Sequence, residues 1–148
     1  MIKIINGDLL KSDCDIICHQ VNCQGVMGGG IAKQIAALYP ECELQYKKYC
    51  EVENYEYSQL SGKYLKVYTV DYDIINCFTQ KFNFDTDYEA LKKCFSYLLS
   101  KHYDLKIGIP YKYGCGIANG DWNTVSKILN DISDEYNCVL YVYKLEEK

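Results

Sequence analysis

Two glycine-rich segments each follow an apolar run of buried-strand length. Residues 25–30 follow Ile16–Val21, and residues 114–120 follow Leu105–Pro110. A helical pattern begins directly after each glycine segment. Strand, glycine turn and helix in this order are typical of α/β proteins, in which ligands bind at the carboxyl ends of the strands. The two junctions therefore predict an α/β fold with a ligand cleft at one edge of its sheet.

The rest of the chain continues this alternation. Strands are predicted at Met1–Ile5, Ile16–Val21, Lys63–Val70, Ile74–Thr79, Leu105–Pro110 and Cys138–Lys144. Helices are predicted at Ile31–Leu38, Glu41–Tyr49, Tyr88–Lys101 and Asp121–Asp134. Pro40 ends the first helix, because the residue before a proline disfavours the helical conformation. A sheet covered by helices on both faces follows, and 148 residues suit a single domain over positions 1–148.

Composition limits the ligands and the compartment. The net charge is −4 without any basic run, which argues against sequence-independent nucleic-acid binding. The sequence shows no signal-peptide or membrane-spanning pattern, so we expect a cytoplasmic protein whose nine cysteines are reduced. The group Cys14, Cys18, His19 and Cys23 lacks the paired C-x-x-C spacing of a structural zinc site. We expect no metal and no cofactor.

The first loop reads Asn-Cys-Gln-Gly-Val-Met-Gly-Gly-Gly-Ile-Ala over residues 22–32. Three glycines before a helix let the backbone approach a ligand closely. They also leave the first N–H groups of the helix available to phosphate oxygens. The loop is not a Walker loop, since no Gly-Lys-Ser/Thr follows. A tight turn without a ligand is the alternative interpretation.

The second loop has the same design. It reads Pro-Tyr-Lys-Tyr-Gly-Cys-Gly-Ile-Ala-Asn-Gly-Asp-Trp over residues 110–122. Backbone N–H groups of such loops form concavities that bind anions. Two phosphate-binding loops in one small domain predict a diphosphate held between them.

Three stretches together resemble the macrodomain family. They are Ile5–Leu10 (Ile-Asn-Gly-Asp-Leu-Leu), His19–Ala32, and Gly114–Ile117 followed by Trp122. Their order and spacing match over nearly the whole chain. The resemblance implies a three-layer α/β/α fold with a mixed central sheet, and a cleft that binds ADP-ribose.

The resemblance also assigns roles by position. Asp8, with the Leu9 backbone, accepts the adenine amino group, and Asn22 reaches the distal ribose. The implied ligand-binding set is Asp8, Leu9, Asn22, Gly25, Met27, Gly28, Gly29, Gly30, Ile31, Tyr113, Gly114, Cys115, Gly116 and Ile117. These roles suit the chemistry, because a carboxylate accepts from an amine and an amide can bind a diol. Asp8 as a turn residue and Asn22 as a loop cap are the alternatives.

Two enzymatic branches share these motifs: ADP-ribose 1''-phosphate phosphatases, and the terminal ADP-ribose protein glycohydrolases with bacterial relatives that act on DNA. The second branch uses a lysine just after the strand corresponding to Ile74–Thr79. Gln80 stands at that position, and Lys81 follows one residue later, where a strand side chain turns to the opposite face. Ala118 stands where that branch has an aspartate. Lys81 could serve only if the loop bulges. Both departures count against lysine-based removal of ADP-ribose, whereas the phosphatase reaction needs neither residue.

For that reaction the candidate catalytic residues are His19, Asn22 and Asp121, any of which could orient an attacking water. His19 as a core residue and Asp121 as a helix N-cap are the alternatives. Two further functions stay open: removal of ADP-ribose from modified protein or nucleic acid, and non-catalytic reading or sequestration of ADP-ribose. The sequence leans toward an enzyme. The expected partner is ADP-ribose or a derivative, with an ADP-ribosylated macromolecule as the alternative. We expect no membrane association and a monomeric chain.

Overall fold

A computed structural model of the protein describes residues 1–81, 85–116 and 118–145. Six strands form one sheet: β1 Ile2–Asn6, β2 Ile16–Val21, β3 Tyr64–Tyr68, β4 Asp73–Phe78, β5 Ile107–Pro110 and β6 Leu140–Lys144. The helices are α1 Gly30–Leu38, α2 Pro40–Val52, α3 Tyr57–Leu60, α4 Tyr88–His102 and α5 Trp122–Glu135. A short 3₁₀ helix, Leu9–Lys11, follows β1.

The strands lie in the order β1-β6-β5-β2-β4-β3. Every neighbouring pair is parallel except β3 and β4, which are antiparallel. This mixed sheet confirms the predicted α/β fold. The two strands that precede the glycine loops, β2 and β5, are neighbours in the sheet.

Buried side chains pack on both faces of the sheet. On one face, Ile17 and Ile74 pack with Tyr46 of α2. On the other, Ile16 and Ile75 pack with the helices α4 and α5. Alternate residues of β2 and β4 therefore enter opposite cores, which explains why both strands are apolar almost throughout. The three layers follow from this arrangement.

Some element bounds differ from the sequence prediction. Pro40 does end α1 at Leu38, but it also occupies the first turn of α2. A proline is favoured there because the first helical N–H has no partner within the helix. Helix α3 was absent from the prediction, since four residues are too few to display a helical period.

The carboxyl ends of β2, β5 and β6 meet at one edge of the sheet. The first glycine loop leaves β2 at Val21 and enters α1, and the second leaves β5 at Pro110 and leads to α5. Parallel pairing of β2 with β5 brings both loops to the same edge. The fold thus confirms that the two loops border one cleft.

Candidate functional site

The cleft between the loops contains two cavities that share part of their lining. One, the Asp8 cavity, has a volume of about 370 Å³ and is bordered by Asp8 and Gln34. The other, the Gln80 cavity, has a volume of about 510 Å³ and reaches Gln80 and Asn22. The residues that border both cavities are Gly30, Ile31, Pro110, Tyr111 and Lys112. The shared residues come from both loop regions, so a ligand that occupied both cavities would pass both loops.

The first loop presents a helix N-terminus to the cleft. Gly29 is the N-cap of α1, with an extended backbone and no capping side chain. Gly30 has φ = 54°, a conformation that favours glycine, and a Cβ built there meets nothing within 4 Å. The open space beside Gly30 is the cleft itself. The first N–H groups of α1 therefore lie at the edge of the cleft, where an anion can accept their hydrogen bonds.

Asn22 holds this loop in shape. Its Nδ2 donates to the Val26 carbonyl at 3.0 Å, and its Oδ1 accepts from the Gln24 N–H at 2.9 Å. The Tyr46 hydroxyl, from α2, lies 2.6 Å from the same Oδ1 and 2.7 Å from the Asn22 carbonyl. Asn22 borders the Gln80 cavity, as expected, but its side chain is largely engaged within the loop.

The second loop is closed on its own backbone. The Gly114 carbonyl accepts from the Gly120 N–H at 2.9 Å and from the Thr86 hydroxyl at 2.5 Å. A Cβ on Gly120 would lie 2.4 Å from the Gly114 carbonyl oxygen. A Cβ on Gly116, by contrast, would meet nothing within 4 Å. Glycine is thus required at 120 by the loop itself, whereas at 116 it leaves room in the cleft.

Asp8 has two functions available to it. Its Oδ1 accepts from the Leu10 N–H at 3.0 Å, which caps the 3₁₀ helix. The carboxylate also borders the Asp8 cavity, next to Leu9. Because a carboxylate has two oxygens with two lone pairs each, capping the helix does not prevent Asp8 from accepting a hydrogen bond from a ligand.

Gln80 and Ala118 both border the Gln80 cavity, and Lys81 does not. The Lys81 side chain is exposed. The backbone N–H of Lys81 donates to the Asp85 carbonyl at 2.6 Å. The position of Lys81 outside this cavity agrees with the opposite-face direction expected from its one-residue shift. At the two positions where a glycohydrolase would carry lysine and aspartate, the cavity is bordered by an amide and a methyl group.

Two of the three catalytic candidates lie outside the cleft. His19 is fully buried in the sheet, with Nε2 2.5 Å from Asn76 Oδ1, and borders neither cavity. Burial lowers the pKa of its imidazole. Asp121 caps α5, accepting from the Thr124 N–H at 3.2 Å and hydroxyl at 2.8 Å. The burial of His19 and the capping role of Asp121 favour the structural alternative for both residues.

Three residues of the predicted ligand-binding set lie away from the cleft. Met27 is only 5% exposed and packs in the core beneath the first loop. Gly25, with φ = 76°, faces Tyr55 rather than the cleft. The half-buried Cys115 thiol donates to the Tyr113 carbonyl at 3.3 Å, and burial raises its pKa. None of the three borders the Asp8 cavity or the Gln80 cavity. Ile117 lies outside the described residues.

The other predicted residues do border the cleft. They are Asp8, Leu9, Asn22, Gly28, Gly29, Gly30, Ile31, Tyr113, Gly114 and Gly116. Tyr113 is 1% exposed, and its hydroxyl lies 2.6 Å from Thr79 Oγ1, so it forms part of the cavity wall.

Sequence reasoning missed several bordering residues. Lys112 borders both cavities, and its Nζ lies 5.7 Å from the centre of the Tyr111 ring. Lys144, at the end of β6, places its Nζ 4.7 Å from the same ring. The Tyr111 ring itself packs edge-on against Trp122 at 5.2 Å. The position of Lys144 at a strand end, next to β5, was the available signal.

Among the described residues, no group of three or more histidine, cysteine, aspartate or glutamate side chains could hold a metal ion. Within the same part of the chain, no helix is long and apolar enough to cross a membrane.

Comparison with known proteins agrees with this geometry. Residues 18–129 match the family model described as the Macro domain. The chain belongs to the Macro domain family. The matched region includes both glycine loops and Gln80, so the cleft described above is the cleft of a macrodomain.

A solved structure extends the likeness to the whole chain. The macrodomain of Mycobacterium tuberculosis DarG superposes with a TM-score of 0.81 at 27% identity, covering 99% of both chains. It supports the three-layer fold from end to end.

Two curated relatives match shorter segments. The DNA ADP-ribosyl glycohydrolase of Mycobacterium tuberculosis is 47% identical over 51 residues, which are 34% of this chain and 14% of that protein. The ADP-ribose 1''-phosphate phosphatase of Saccharomyces cerevisiae is 44% identical over 52 residues, 34% of this chain and 29% of that protein. The matched segments thus span less than a third of the length of either relative.

Proposed function

We propose that this macrodomain binds ADP-ribose or a derivative of it, with the diphosphate between the two glycine loops. The observation that carries the proposal is the convergence of both loops on one elongated cleft. Gly30 and Gly116, on opposite loops, each leave open space where a side chain would stand. The N-terminus of α1 supplies N–H donors and a favourable dipole for a phosphate. The nearby Lys112 adds a positive charge.

The ends of the cleft suit the ends of this ligand. Asp8 offers an acceptor in the Asp8 cavity, where an adenine amino group would donate. Gln80 and Asn22 border the opposite cavity, which would take the distal ribose.

Calorimetric titration with ADP-ribose, AMP and NAD tests the proposal. We expect micromolar binding of ADP-ribose and much weaker binding of AMP, which lacks the second phosphate and the distal ribose. Asp8→Asn is the sharpest variant, because Asn can still cap the 3₁₀ helix. It removes the carboxylate charge, and it should weaken ADP-ribose binding without lowering the melting temperature. Absence of ADP-ribose binding by the folded wild-type protein would contradict the proposal.

Hydrolysis of ADP-ribose 1''-phosphate is the second proposed function. Gln80 and Ala118 favour it over removal of ADP-ribose from protein or nucleic acid, since neither can supply a nucleophile or a general base. Phosphoryl transfer depends mainly on positioning and electrostatic stabilisation, which the two loops and Lys112 can offer. The yeast relative, an ADP-ribose 1''-phosphate phosphatase, supports this reaction class.

Non-catalytic reading or sequestration competes with hydrolysis. In favour of it, the described residues that border the Gln80 cavity include no carboxylate, imidazole or thiol. Phosphate release from ADP-ribose 1''-phosphate separates the two functions. Asp121→Asn sharpens the test, because Asn still caps α5; lost turnover with unchanged stability would return Asp121 to a catalytic role.

We further propose that residues 1–148 act as one macrodomain, monomeric and cytoplasmic. The unbonded state of all nine cysteines supports a reducing compartment. Sedimentation analysis of the purified chain tests the monomeric state.

A further inference from the structure

The polarity of the Gln80 amide follows from a chain of hydrogen bonds that begins at the second loop. The Gly114 carbonyl can only accept, so the Thr86 hydroxyl donates to it at 2.5 Å. Thr86 Oγ1 therefore accepts from Gln20 Nε2 at 3.2 Å. This fixes the orientation of Gln20, whose Oε1 accepts from the Thr79 hydroxyl at 2.8 Å.

Gln20 in turn orients Gln80. The same Gln20 Nε2 donates to Gln80 Oε1 at 3.5 Å. The carbonyl oxygen of Gln80 is thus engaged by Gln20. Gln80 borders the cavity and is half-buried. The part of this side chain left available to a ligand is therefore its pair of N–H donors.

The charges around this cavity favour an anion. The only ionised side chain among the described residues that border it is Lys112. Each glycine loop also borders the Gln80 cavity with a residue that has no side chain, Gly28 in the first loop and Gly116 in the second. A terminal anionic group would meet donors and a cation there, without a fixed negative charge to repel it.

We propose that Gln80 is a specificity-determining residue: its Nε2 donates to an anionic group, of the phosphate monoester class, carried by the distal ribose of the ligand. The inference rests on the proposed ADP-ribose site and deepens it, because it states which derivative the cleft prefers. Gln80 takes no part in bond breaking; it holds the terminal phosphate oxygen.

Gln80→Glu is the decisive variant. Glutamate keeps an oxygen to accept from Gln20 and replaces only the NH₂ group with a charged oxygen. We expect the affinity for ADP-ribose 1''-phosphate to fall on the order of tenfold or more relative to that for ADP-ribose, since a charge-assisted hydrogen bond becomes a repulsion. Phosphate release is followed in the same samples, so that turnover is not mistaken for weak binding.

The matched control is Gln34→Glu, which adds the same charge in the Asp8 cavity. Both ligands share their adenosine end, so this variant should leave the ratio of the two affinities unchanged. Gln80→Met provides a second test if Gln80→Glu fails to fold, because it removes the donor without adding charge; the wild-type preference for the phosphorylated ligand should disappear.

The outcomes separate this inference from the proposed function. Wild-type binding of ADP-ribose, with equal losses for both ligands in Gln80→Glu, would overturn the role of Gln80 alone. Failure of the wild-type protein to bind either ligand would overturn both. A selective loss for the phosphorylated ligand supports both.

Discussion

The two glycine loops border the same cleft but are held in different ways. Side chains fix the shape of the first loop. Asn22 makes a hydrogen bond across the loop, and the Tyr46 hydroxyl, from α2, lies within hydrogen-bond distance of two Asn22 oxygens. Backbone closure holds the second, through the Gly120 N–H and the Gly114 carbonyl. The Thr86 N–H also donates to the Ala118 carbonyl at 3.0 Å, which ties the second loop to the segment before α4.

This difference separates two reasons for a glycine. At Gly120 the adjacent backbone leaves no space for a Cβ, so the fold requires glycine. At Gly30 the space is open and the backbone has φ = 54°, so the backbone conformation favours glycine and the open space is left for the proposed ligand. A substitution at Gly120 should therefore damage stability, whereas a substitution at a first-loop position with an ordinary backbone, such as Gly29, should damage ligand binding.

The largest expected effect is that of Gly120→Ala on stability. The new Cβ would meet the Gly114 carbonyl oxygen at 2.4 Å, and the backbone must move. We expect a loss of about 2–3 kcal/mol in the free energy of unfolding, as for an overpacked site. Gly116→Ala, in the same loop, meets nothing within 4 Å and should be neutral for folding. Urea unfolding of both variants measures the difference. Equal stability of the two would contradict the claim that the second loop has no space for a Cβ at position 120.

Gly29→Glu is the corresponding test of the first loop. Gly29 has an extended backbone (φ = −144°) that other residues adopt, so the variant should fold. The carboxylate would stand where a phosphate is proposed to bind, and like charges placed together cost several kcal/mol. We expect ADP-ribose affinity to drop by roughly 100-fold or more. Gly29→Ala controls for the side chain without the charge; a folded Gly29→Glu protein with normal affinity would contradict the phosphate assignment.

Tyr46→Phe tests the side-chain support of the first loop. Tyr46 is fully buried, and burial raises the pKa of its hydroxyl, which donates to Asn22. Removing that hydroxyl should cost about 1–2 kcal/mol of stability and weaken ADP-ribose binding modestly. Tyr49→Phe is the control, because Tyr49 stacks on Phe78 at 5.6 Å and the described structure shows no hydrogen bond of its hydroxyl. Equal losses of stability and affinity in the two variants would count against a role for the Tyr46–Asn22 hydrogen bond in shaping the loop.

The fold was predictable because its signals are local. The strand Ile16–Val21 was predicted with its observed bounds, since six apolar-rich residues between turns leave little choice. Within the predicted helix Tyr88–Lys101, the apolar residues Leu91, Phe95 and Leu98 recur at helical spacing. A helix of fifteen residues is long enough to show this period.

The site was predictable only in part, because side-chain direction depends on neighbours that the sequence does not show. His19 and Gln20 are adjacent, yet one is buried against Asn76 and the other borders the cleft. Strand alternation gives opposite faces but does not say which face holds the ligand. Asp121 could be read as a cap or a base, and the cap became visible only with the position of Thr124.

The smallest expected effect is the response of stability to mild acid, which bears on the strand leading into the first loop. Burial lowers the pKa of His19 in the folded state, while the unfolded value stays near 6.5. The unfolded chain therefore binds a proton first as the pH falls, and stability that is present above about pH 6.5 is lost below it. We expect the free energy of unfolding to decrease by about 1 kcal/mol between pH 7.5 and 5.5. His19→Gln should flatten this dependence more than His102→Gln, because His102 is less buried, although burial and then the charge of Lys66 also lower its pKa. Urea unfolding of the three proteins at both pH values checks this, and an unchanged slope in His19→Gln would mean that the buried His19–Asn76 pair does not respond to acid in this range.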